Sequence, residues 1–186
     1  MDAYSIVLFV HIVGVLGLFV ALGLEWTGLR QIRGALVYEQ VRTWMGILNN
    51  TRRMGFASMG TTVITGIYMM ITDTGLVPWL YVSIGALILV ILLAVMLTGP
   101  RMMAVGQALT LGKGSLTSAF YNLANHPLLL ISIQTRIAIA LGIVFLKITK
   151  PELAGSLLTI GVAIVLGIAT SLHLPQREQA HEGSAD

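Results

Sequence analysis

The stretch AYSIVLFVHIVGVLGLFVALGL occupies residues 3–24 and contains no Asp, Glu, Lys or Arg. At ~1.5 Å of rise per residue it makes a helical rod of ~33 Å, enough to cross the ~30 Å hydrocarbon core of a bilayer. Three further stretches without charge follow, at 54–72, 74–100 and 153–176, and a fourth, 127–146, is interrupted only by Arg136. The chain of 186 residues is 56% hydrophobic and only 10% charged, with a mean hydropathy of +0.87. A soluble domain carries roughly 25% charge. The sequence therefore predicts an all-α polytopic transmembrane helix bundle with five spans, near 4–24, 54–72, 78–97, 127–147 and 153–173. The bundle fills residues 1–176 and a polar tail follows at 177–186.

Orientation follows from the basic residues, because Lys and Arg in short loops are retained on the cytoplasmic side. Arg30, Arg33, Arg42, Arg52, Arg53, Arg101, Lys113 and Arg177 fall on one side of the five spans, and only Lys147 and Lys150 on the other. This predicts an N-terminus outside and a C-terminus in the cytoplasm. The same residues explain the net charge of +3 and the pI near 9.5. They flank apolar segments, which matches anionic lipids at the cytoplasmic face and argues against a nucleic-acid partner. The first segment is too long, and lacks the basic start, to be a cleaved signal peptide. With no cysteine in the chain, disulfides and thiolate ligands are excluded.

Between spans one and two, Leu29, Ile32, Leu36, Val37, Val41, Trp44, Met45 and Leu48 recur at intervals of three and four. That spacing predicts an amphipathic helix over about 28–48, lying at the cytoplasmic interface. Asn49-Asn50-Thr51 reads as a turn and cap before span two. Span two carries Gly55, Ser58, Gly60, Thr61, Thr62, Thr65 and Gly66. So many small and hydroxyl residues predict a helix buried among its neighbours. Residues 98–115, with four glycines, read as the loosest segment of the chain. Asn125 reads as the N-cap of span four, with Pro127 in its first turn.

Ionisable groups inside such spans cost ~3 kcal/mol on insertion scales and mark the places where function is sought first. His11 lies about seven residues inside span one. Its imidazole can ligate haem or a metal, relay a proton, or bond a neighbouring hydroxyl such as that of Thr65. Gly14 lies one turn away on the same face and leaves room for a flat cofactor. Met69 and Met70 lie at compatible depth and can complete a copper or haem pair with His11. Arg136 sits about nine residues inside span four, where Glu25 is the acid nearest in depth and Ser132 is one turn away. The pair Arg136–Glu25 is expected as an intramembrane ion pair; the functional alternative joins Arg136 with Arg101 or Arg53 in an anion site. His126 and His173 read as interfacial caps.

The run from Leu8 to Phe19, with its single early histidine followed by Gly14 and Gly17, resembles a loose group of uncharacterised bacterial membrane proteins. These are distantly similar to copper-resistance CopD-type proteins and HemJ-type protoporphyrinogen oxidases. The segment from Arg136 to Leu146, with Lys150-Pro151, is similar to the uncharacterised members. The resemblance implies a bacterial inner-membrane location and a haem or metal ligand at His11. The intramembrane lysine that assists in HemJ-type enzymes has no counterpart within span three, so no reaction is carried over.

Three function classes are open at this level. The first binds haem b or copper through His11, in electron transfer or cofactor handling. The second is a small transporter or channel lined by span two and Arg136. The third is a structural or assembly subunit, as a homo-oligomer or within a membrane complex.

Overall fold

A computed structural model describes residues 2–75, 77–112 and 114–173. Lys113 and the expected polar tail lie outside the described residues. Among the described residues seven α-helices form: α1 (Ala3–Arg33), α2 (Tyr38–Met69), α3 (Pro78–Leu92), α4 (Gly99–Leu111), α5 (Ser118–Ala124), α6 (Pro127–Thr149) and α7 (Leu153–His173). No β-strand occurs among the described residues. Helices close their own backbone hydrogen bonds, which hydrocarbon surroundings require. Together with adjoining π-helical turns and short helices they form five rods long and apolar enough to cross a membrane.

α1 and α2 form a long antiparallel hairpin, and α6 packs against α7, α3 and α1. Most of the burial belongs to span four, α6: Ser132, Ile133, Thr135, Arg136, Ile139, Ala140, Gly142 and Leu146 are all covered. α2 is the least covered of the five rods, so the expectation of a buried span two is corrected. Its small residues serve one seam instead. A Cβ on Gly14 would lie 2.8 Å from Thr62 Oγ1, and one on Gly17 would overlap Ser58. The hydroxyls of Thr62 and Thr65 donate to carbonyls on their own helix, Ser58 and Thr61. They therefore need no further helix to satisfy them.

The stretch 28–48 is not one helix. α1 continues to Arg33, the chain turns at residues 34–37, and α2 begins at Tyr38 and runs unbroken through Asn49-Asn50-Thr51. The apolar periodicity there reflects packing of these two helix ends against α4 and α5. Ile32, Tyr38, Val41, Leu48, Val105 and Phe120 meet in one buried cluster. Two arginines brace it. Arg33 donates to the carbonyls of Ala124 and His126, and Arg42 to those of Leu109 and Gly112.

Residues 99–111, expected to be loose, are helical. A π-helical segment, Leu93–Thr98, joins α3 to α4 without a break. Its wider turn falls where Pro100 would clash with the carbonyl four residues before it in a regular helix. The cap of α6 is also shifted by one residue. His126, not Asn125, holds the N-cap, and its Nδ1 accepts from the backbone N–H of Leu128.

Candidate functional site

Arg136 points from α6 toward α1, and its Nη2 donates to Glu25 Oε1 at 2.7 Å. The arginine side chain keeps 5% of its exposure and the glutamate 27%. The guanidinium also reaches back along its own helix, Nε donating to the Ser132 carbonyl at 3.4 Å. Its Nη2 makes a longer contact of 3.5 Å with Thr98 Oγ1 in the π-helical segment. Ser132 Oγ donates to the Leu93 carbonyl at 3.1 Å and lies 2.9 Å from Thr98 Oγ1. The serine proton is engaged at Leu93, so the threonine hydroxyl donates to Ser132 and its oxygen faces Arg136. A directed chain thus runs from Arg136 through Thr98 and Ser132 to Leu93. It ties the π segment to the ion pair, the kind of place where π turns often mark function.

Above this pair lies a cavity of about 520 Å³. Its walls come from α1, α2, α3, the π segment and α4, with Ile133 and Arg136 of α6 at its floor. α2 and α3 meet only sparsely, Met59 of α2 reaching the cluster that holds Ala86 and Val90 of α3. The gap between them opens sideways past Phe56 and Val95, both more than half exposed. Leu18, Met59, Val90 and Ala94 make its apolar lining. Asn49, Arg52, Gln107 and Thr110 line it as well. The volume is that of a site for one small molecule.

Arg52 is a side chain of the cleft that sequence reasoning did not place there. It lines the cleft, and its Nη2 comes to 4.0 Å from where a Cβ on Gly99 would stand. Arg101, proposed as a partner of Arg136, instead folds back to the Leu97 carbonyl at 2.7 Å. Neither it nor Arg53 lines the cleft. Arg53 differs from Arg52 by rotation about α2, which no local sequence signal fixes.

His11 lies away from this cleft, half-buried on α1. Its Nδ1 is 2.9 Å from Thr65 Oγ1. Thr65 donates to the Thr61 carbonyl at 2.6 Å, so its oxygen is the acceptor and His11 Nδ1 carries the proton. The Nε2 lone pair is left available, the usual arrangement of a ligating histidine. The Cβ position of Gly66, not that of Gly14, lies against the ring, at 3.4 Å from Cε1, while Gly14 is closed by Thr62. The Cβ direction of Gly14 thus faces α2, and the glycine also lines a second cavity of about 220 Å³ with Phe9, Val13, Ala57 and Thr61. Met69 is buried and Met70 half-buried at the far end of α2. No cluster of three or more His, Cys, Asp and Glu side chains able to hold a metal occurs among the described residues.

In comparisons with protein families, with curated proteins and with solved structures, nothing matches this chain.

Proposed function

We propose that this chain is a small membrane carrier or receptor that draws an amphipathic molecule out of one leaflet into the cleft between α2 and α3. The observation that carries this reading is the sideways-open apolar cavity floored by the buried Arg136–Glu25 pair. An intramembrane ion pair beside a cavity is a functional-site signature, since a purely structural rod could be apolar there at lower cost. The eight-to-two distribution of basic residues supports a cytoplasmic placement of the cleft's arginine-bearing end, with the N-terminus outside. The bacterial inner membrane is the location we assign with it.

The test is a native mass spectrum of the protein released from membranes. A bound molecule of lipid-like mass is expected, and Ala94→Phe, which fills the cleft, should remove it while the melting temperature is kept. A spectrum without adduct, or an adduct indifferent to Ala94→Phe, overturns the reading.

A second reading keeps haem b or copper at His11, because Thr65 leaves Nε2 with its lone pair in place. The donor set fits one ligand from this histidine, with the thioether of Met69 as the second donor proposed. A Soret or copper absorbance lost in His11→Ala supports it, and a colourless, metal-free protein removes it.

A further inference from the structure

We infer that the cleft holds the tail of a lipid-like amphiphile whose anionic headgroup is read by Arg52. The inference rests on the carrier reading and specifies its ligand. Two guanidinium groups converge on the consecutive residues Thr98 and Gly99, Arg136 at 3.5 Å from Thr98 Oγ1 and Arg52 beside the Gly99 position. Glu25 is the one carboxylate among the described residues lining the cleft, and it is already paired with Arg136. The lining therefore carries one uncompensated positive charge, at Arg52.

Apart from Arg53, which does not line the cleft, the other arginines near this end have protein partners. Arg33, Arg42 and Arg101 donate to backbone carbonyls, and Arg30 stacks over the Trp26 ring at 5.1 Å. Arg52 has no hydrogen-bond or ion-pair partner among the described residues. A planar fork of donors beside an apolar channel matches a phosphate or carboxylate on a hydrocarbon tail. Asn49, Gln107 and Thr110 supply uncharged hydrogen-bonding groups to the same lining. The charge of Arg136 is already matched by Glu25, whereas that of Arg52 is not. The headgroup accordingly stops at Arg52, while the tail lies along Met59, Val90 and Ala94.

The experiment titrates the full chain, in uncharged detergent, with four probes followed by native mass spectrometry. Three share one acyl chain: lysophosphatidylglycerol, lysophosphatidylcholine and monoacylglycerol. The fourth is inorganic phosphate. Expected is a preference of about tenfold or more for lysophosphatidylglycerol over monoacylglycerol, the size of a charge-assisted hydrogen bond. Arg52→Gln should abolish that preference, Arg52→Lys should keep most of it, and Arg53→Gln should leave it intact, with melting temperatures unchanged throughout. Equal affinity for the three lipids, or a preference that survives Arg52→Gln, overturns the headgroup assignment while leaving the cleft as a tail site. Phosphate binding as tightly as the lipid overturns the amphiphile. Indifference of every probe to Ala94→Phe rejects the cleft reading itself.

Discussion

Arg136 on α6 and Glu25 on α1, 111 residues apart, are joined by a 2.7 Å ion pair that links the α1–α2 hairpin to the rest of the bundle. The two partners are not equally placed, since the arginine is almost fully covered and the glutamate retains 27% of its side-chain exposure. Removing Glu25 strands a guanidinium with little access to water. Removing Arg136 leaves a carboxylate that can still be solvated.

Glu25→Ala should therefore cost about 3 kcal/mol or more, the usual penalty for orphaning a buried charge. Arg136→Met should cost less, and the double variant less than the sum. Reversible unfolding in mixed micelles measures all three. Additive losses would mean that the two groups do not act as a pair.

The helix seams make opposite predictions for glycines at closed and at open positions. A Cβ on Gly167 would lie 2.5 Å from the Thr135 Cα on the neighbouring backbone, which cannot swing aside. Gly167→Ala should destabilise by about 1–3 kcal/mol, as overpacking does. Nothing lies within 4 Å of a Cβ on Gly23 or Gly60. Alanine there should stabilise by up to about 1 kcal/mol through helix propensity. Melting temperatures of the three variants decide the matter.

Thr135 Oγ1 is buried and has no partner among the described residues. Valine has nearly the same shape without the hydroxyl. Thr135→Val should leave stability unchanged or raise it by about 1 kcal/mol. A loss of that size instead would reveal a hydrogen-bond partner for the hydroxyl, such as an internal water.

The His11–Thr65 bond fixes a tautomer. Nitrogen NMR of the labelled protein should report a protonated Nδ1 and an unprotonated Nε2 at His11, and Thr65→Val should disturb that pattern. The opposite tautomer would remove the basis for a ligand at Nε2.

Much of the site was legible because depth is a linear property of a helix. Counting residues from span ends brings Glu25 and Arg136 to one level and His11 to the level of Thr65. The missed features are angular. Neighbouring helix positions differ by ~100°, so Arg52 and Arg53 share a depth while only the first lines the cleft. The helix through Pro100 was hidden for another reason. Gly-Pro punctuation reads as a break unless a π segment lets the rod continue.

The amino-acid order alone determined that five apolar rods form. A bilayer requires each crossing to be ~20 apolar residues long and to close its own hydrogen bonds, which are local conditions. Only the tertiary structure decided which faces of those rods meet. When nearly every side is oily, hydropathy cannot set the rotation of one helix against another. That phase is set by close packing at Gly14, Gly17 and Gly167 and by the pairing of Arg136 with Glu25.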